Sequence, residues 1–133
     1  MSDDQVSNAT PPPPAGPYSP FVVAGDIVFL SGQCPTKQDG TVSADEFEGQ
    51  ARLAFSNLAA AARQAGLTLE HAVRVGVYLA DMSDFDSMNA VYREYFSEPH
   101  PARTTIQSNL PGFRIEVDAV LWAQAARGAD ARA

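Results

Sequence analysis

From residue 114 to 122 the chain alternates without a break. Ile115, Val117, Ala119 and Leu121 fall on one side, and Arg114, Glu116, Asp118, Val120 and Trp122 on the other. Period-two spacing of this kind predicts a β-strand with one face committed to a core. Only two stretches of the 133 residues carry a strong helical period, and two helices can cover one face of a sheet and no more. The other face, which carries Glu116 and Asp118 but also Val120 and Trp122, has no helix left to cover it. A chain this short has no third layer to supply, so the pattern predicts a homo-oligomer whose subunits cover that face.

The remaining elements follow from local signals. Residues 21–24 and 27–31 flank Gly25-Asp26, a loop that suits a tight hairpin. Ser43 with Glu46 three residues on reads as a capping box. From there Phe47, Ala51, Ala54, Phe55, Leu58, Ala61 and Ala62 recur at helical spacing until Gly66. Val73, Val75, Val77 and Leu79 alternate along a third strand. A second helix is expected to start from Ser83 or Asp84, to carry the apolar stripe Phe85, Met88, Val91, Tyr92, Tyr95 and Phe96, and to end at Pro99 and Pro101. Residues 103–108 and 114–122 are expected as the last two strands, joined by the turn-rich 109–113. The order strand, strand, helix, strand, helix, strand, strand means α+β with mixed pairing. Residues 1–15, polar and then Pro11 to Pro14, read as a disordered or polyproline lead-in. Residues 16–124 form one domain, and 125–133 a frayed tail.

Charge and composition narrow the chemistry. With 9 Lys+Arg against 16 Asp+Glu the net charge is -7, which repels phosphate backbones and anionic lipid and makes nucleic acid an improbable partner. No stretch approaches the roughly 20 apolar residues of a membrane span. A single cysteine, Cys34, and no visible signal peptide point to the cytoplasm. His71 and His100 stand apart with no further ligand at a zinc spacing, so a zinc site is not expected. The one lysine, Lys37, lies in a polar turn and is a poor Schiff-base candidate. Serine-elbow, Walker and dinucleotide-binding patterns are absent. Arginine, carboxylates and hydroxyls remain.

If residues 103–108 pair with 114–122 as a hairpin, Arg103, Thr105 and Gln107 share the outer face with Glu116 and Asp118. A guanidinium there could hold a substrate carboxylate by two parallel hydrogen bonds, or form a structural ion pair at the interface. Asn89, beside the stripe of the second helix, either caps a loop or reaches a ligand. Ser31-Gly32-Gln33 ends a strand with a glycine that admits close approach, or simply turns. Tyr18, in a rigid Gly-Pro-Tyr-Ser-Pro entry, is packing or a site phenol, and Cys34 a small buried thiol.

Six segments recur together: Gly16-Pro17-Tyr18-Ser19-Pro20, Ser31-Gly32-Gln33 before Pro35, Gln50-Ala51-Arg52, Asn89-Ala90-Val91-Tyr92 with Tyr95-Phe96, Pro101-Ala102-Arg103-Thr104-Thr105, and Ile115-Glu116-Val117-Asp118-Ala119. In this order they resemble the Rid (YjgF) family of small reactive-intermediate deaminases. The resemblance implies a chorismate-mutase-like α+β fold, a mixed sheet with two helices on one face. It also implies a homotrimer with clefts between subunits, and hydrolysis of 2-imino acids such as 2-aminoacrylate to 2-oxo acids and ammonia without cofactor or metal. Arg103 matches the residue that grips the substrate carboxylate and Glu116 the acid that positions water. Tyr18, Ser31, Gly32 and Asn89 match residues of the cleft, and Thr105 stands where many members carry cysteine. The connector from Ser108 to Arg114 is shorter than the family pattern. Alternatives within the family are a trimer that binds small 2-oxo or imino acids without turnover and, against the acidic charge, an endoribonuclease.

Overall fold

The computed structural model describes residues 10–125. It contains strands β1 (Phe21–Ala24), β2 (Ile27–Gln33), β3 (Ala72–Leu79), β4 (Ala102–Gln107) and β5 (Ile115–Trp122). The helices are α1 (Phe47–Gln64) and α2 (Phe85–Tyr95). One mixed sheet runs in the order β1-β2-β5-β3-β4. Neighbours are antiparallel except β3 and β4, which are parallel. Each parallel relationship is made by a helical crossover. β2 and β3 both oppose β5, with α1 between them in sequence, and α2 joins β3 to β4. This is the mixed sheet with two helices on one face that the resemblance implied.

The strand parity of β5 sets the layers. Ile115, Val117 and Leu121 have no exposed surface, and Ala119 almost none. They meet Ala51, Ala54, Phe55 and Leu58 of α1, which lies over β2 and β5 and against α2. Phe55, itself fully buried, stacks on Tyr95 at 5.4 Å and meets Tyr92 edge-on at 5.7 Å. Burying such a ring contributes about 2–3 kcal/mol.

The start of α1 differs from its sequence signal, whereas α2 begins after Asp84 as expected but without a side-chain cap bond. Glu46 occupies the N-cap of α1 with no side-chain cap bond, and Ser43 Oγ instead accepts from Asp45 N at 3.0 Å. Buried Gln50 takes over the joining role: its Nε2 donates to the carbonyls of Ser43 and Asp45, and its Oε1 accepts from Arg114 N at 3.0 Å. A buried amide with three partners outweighs a terminal cap. Before α2, the 3₁₀ turn Met82–Asp84 is capped by Asp81, whose Oδ1 accepts from Ser83 N at 2.8 Å. Asp84 serves Arg114, accepting from Nη2 on both carboxylate oxygens at 2.9 Å.

The other sheet face leaves Val22, Phe29, Ile106 and Trp122 exposed. Val22, Phe29 and Val120 stand in one row across β1, β2 and β5. Of the proline-rich lead-in, residues 1–9 lie outside the described residues, and Pro11 and Pro12 are buried. In the tail only Ala125 is described, and it is 8% exposed.

Candidate active site

The register of β4 on β3 places Arg103. Val75, Val77 and Leu79, fully buried beneath the helices, stand beside Arg103, Thr105 and Gln107, and side chains at matching positions share a face. Arg103, Thr105 and Gln107 therefore point to the helix side, with Thr104 and Ile106 outward. The hairpin expected between β4 and β5 does not form, because β3 lies between them and β4 runs parallel to it. Glu116 and Asp118, beside Tyr78 and Gly76 of β3, remain on the helix-free face. Arg103 and Glu116 of one chain thus occupy opposite faces of one sheet.

On the helix side, the Arg103 guanidinium lies over the rings of Tyr92 and Phe85, 4.7 and 5.7 Å from their centroids. Its Nη1 stands 3.8 Å from Met88 Sδ. These residues come from one stripe of α2, at positions spaced three and four apart. Asn89 of the same helix, with Arg103, His100 and Arg93, lines a cavity of about 210 Å³. Arg52 and Arg114 are bound to Glu94 and Asp84, whereas Arg103 has no carboxylate partner among the described residues. A guanidinium held flat by aromatic faces, with its donor edge unspent, is suited to a planar anion. Thr105 Oγ1 and Tyr92 Oη are buried without a hydrogen-bond partner. Burial pushes the Tyr92 hydroxyl up to about 12, against the pull of Arg103. Asn89 caps no loop among the described residues; that duty belongs to fully buried Asn57, whose Nδ2 donates to the carbonyls of Cys34 and Thr36.

Across the sheet, a register shift between Leu30 and Gln33 of β2 brings Gly32 against Glu116, where any Cβ would collide with Oε2. The Cys34 thiol faces Glu116 Oε1 at 3.7 Å, within the range of a weak S–H donor. Burial, then the charge and hydrogen bond of Glu116, push this thiol up to about 12. Neighbouring Asp118 is fully engaged, accepting from Tyr78 Oη at 2.9 Å and Gly76 N at 3.1 Å. Ser31 Oγ donates to the carbonyl of Ser19 at 2.6 Å. This bond ties the Gly-Pro-Tyr-Ser-Pro entry to β2, so the contribution of Ser31 is to hold the entry. Tyr18 is 47% exposed, and its hydroxyl accepts from Ala15 N at 3.1 Å. Tyr18, Gly32 and Cys34 line one cavity of about 450 Å³.

The residues singled out in the sequence therefore fall into two groups on opposite faces of the sheet, Arg103, Asn89 and Thr105 on the helix side and Tyr18, Ser31, Gly32 and Glu116 about the other. A protein-family model described as Endoribonuclease L-PSP matches residues 8–123. The chain belongs to the Rid family. Within it, a RutC family protein of Pyrococcus horikoshii is 40% identical over 114 residues, 84% of this chain and 90% of that protein. The 2-iminobutanoate/2-iminopropanoate deaminase of Dermatophagoides farinae is 31% identical over 119 residues, 87% of this chain and 93% of the relative. The crystal structure of RidA from an Antarctic Psychrobacter species matches with a TM-score of 0.81 at 32% identity, covering 89% of this chain and 98% of that one. Phe85, Met88 and Tyr92 carry two duties, since their apolar stripe packs α2 and also floors Arg103. A helical stripe facing an arginine one crossover later is the signal that marks them. No described helix is long and apolar enough to cross a membrane.

Proposed function

We propose that this chain hydrolyses 2-imino acids to 2-oxo acids and ammonia in clefts between the subunits of a cytoplasmic homotrimer. In each cleft Arg103 of one subunit holds the substrate carboxylate and Glu116 of its neighbour positions the water. The observation that carries this reading is the aromatic-backed Arg103 guanidinium without a carboxylate partner among the described residues, lining one cavity with Asn89. Two copies are required because the sheet separates Arg103 from Glu116 within one chain. The exposed Phe29 and Trp122 supply apolar surface for the association.

The chemistry asks little of the protein. An imine carbon beside a carboxylate is already electrophilic; an enamine such as 2-aminoacrylate reaches it by taking a proton at its terminal carbon. Water adds to that carbon and its proton passes to Glu116, which returns it to the amino group of the resulting carbinolamine as the C–N bond breaks, and the carbinolamine hydroxyl gives its own proton to the freed carboxylate. Ammonia leaves and the C=O of the 2-oxo acid forms. Orientation by the Arg103 clamp and a fixed water account for the acceleration, and the thiol of Cys34 supports the carboxylate of Glu116 on its other oxygen.

Arg103→Ala should lower ammonia release from freshly generated 2-aminoacrylate by roughly a hundredfold or more while the oligomer persists. Full activity in that variant would sink the reading. An RNA-cleaving role, which the family model's description raises, is disfavoured by the net charge of -7, and a salt-dependent RNA titration checks it.

A further inference from the structure

The proline run left unused by the mechanism is part of a wall. Pro12, Pro13 and Pro14 line the cavity of about 450 Å³ that Gly32 and Cys34 also line, and Val42 and Phe113 close it from two other loops. Gly32 and Cys34 also adjoin the Glu116 carboxylate, so the chamber shares two wall residues with the carboxylate proposed to position the attacking water. Three features fix its chemical character. Its apolar lining comes from prolines, which present rigid hydrocarbon surface and no backbone N–H, with Val42 and Phe113, while Gln33, Thr36 and Gln38 add uncharged polar groups. Among the described residues no lysine, arginine or histidine lines it. Its one carboxylate, Asp39, is already bound, with Oδ1 accepting from Thr41 N at 2.9 Å and from Thr41 Oγ1 at 2.7 Å. The proline segment is also pinned in place: Pro11 and Pro12 are buried, and Gln38 Nε2 reaches Thr10 Oγ1 at 3.5 Å across the chamber mouth.

We infer that this chamber receives the substrate side chain, and that the preferred substrates are 2-imino acids with branched or aromatic apolar side chains, with acidic ones excluded. The inference rests on the deaminase reading of Glu116. A volume of this size falls within the roughly 300–1,000 Å³ of small-molecule pockets, far more than the methyl group of 2-iminopropanoate fills. A small side chain leaves apolar wall exposed to water, whereas a leucine- or phenylalanine-derived side chain covers it. Covering such a wall with a larger apolar side chain raises kcat/KM by about tenfold or more. A second carboxylate would enter without a cation to meet it and beside Asp39.

The test is a comparison of kcat/KM for imines generated in situ by an amino-acid oxidase from alanine, leucine, phenylalanine and glutamate. The wild-type protein should favour the leucine or phenylalanine imine over the alanine imine by about tenfold or more, with the glutamate imine slowest. Phe113→Ala, and separately Pro12→Gly with Pro13→Gly and Pro14→Gly, should lower that ratio. Val42→Phe, which fills the chamber, should turn the preference toward the alanine imine. Turnover of the alanine imine equal to or faster than the larger ones overturns the inference while leaving the deaminase reading standing. Ratios unmoved in all three variants overturn it in the same way. Turnover of no imine at all overturns both.

Discussion

The Arg103 guanidinium lies 4.7 Å from the ring centroid of Tyr92, and the two groups serve each other. The ring holds the cation flat, and the cation is the nearest charge to a hydroxyl that is buried without a hydrogen-bond partner. Ring and hydroxyl can be separated. Tyr92→Phe keeps the ring and removes the orphan oxygen, so it should leave KM within about twofold and raise stability by roughly 1 kcal/mol in urea unfolding. Tyr92→Leu removes the cation–π contact, worth about 0.5–2 kcal/mol, and should raise KM by roughly 3- to 30-fold. Equal KM values for the two variants would show that the ring does not orient Arg103.

The placement of Arg103 and Glu116 on opposite sheet faces predicts complementation. Arg103→Ala and Glu116→Gln chains should each be inactive alone. When they are unfolded and refolded together, random trimers restore about a quarter of the clefts, because one cleft in four draws its arginine and its glutamate from the two intact sources. Ammonia release from the mixture measures this, and a mixture as inactive as its components would place both residues in one subunit's site or in none.

Gly32 has no room for a side chain. Gly32→Ala must displace the Glu116 carboxylate, since a Cβ collides with Oε2. A misplacement on the order of 1 Å costs roughly a hundredfold in rate, so kcat should fall by about that factor with KM little changed, because the proposed carboxylate clamp, Arg103, is on the opposite face of the sheet. Overpacking should also cost about 1–3 kcal/mol of stability, readable in the same sample by chemical unfolding.

Cys34 should behave as an unreactive thiol. Its burial and the charge of Glu116 push it from 9.0 up to about 12. At pH 8 its alkylation should be roughly a hundredfold or more slower than that of a free thiol. The linkage has a definite sign. The neutral thiol is favoured by the fold, so its contribution to stability is fully present below pH 9 and is lost as pH rises toward 12. Wild-type protein should therefore lose stability through that window more steeply than Cys34→Val, as followed by Tm against pH.

Much of this molecule is written locally. The alternation of Ile115, Val117, Ala119 and Leu121 assigned β5 and its buried face, because a strand's period of two is independent of its neighbours. The Phe47 to Ala62 period located α1, and Gly66, at φ +83, ended it where a left-handed residue is needed. The cap residues were less legible: Ser43 and Glu46 form a valid local pattern, yet buried Gln50 made a different set of bonds that only the packed loop offers.

The site itself divided along the same line. Sequence alone determined the residue types, Arg103, Glu116, Gly32 and Asn89, since their motifs are carried by contiguous segments. It also determined that one sheet face would lack a helix. Which side of the sheet Arg103 faces was decided only by tertiary structure. A six-residue strand whose sole large apolar side chain is Ile106, now 46% exposed, has no parity of its own, and its facing was set when β4 docked parallel to β3 instead of folding back on β5. Strand order depends on contacts between segments far apart in the chain, so local spacing could not record that Arg103 and Glu116 stand on opposite faces of one sheet.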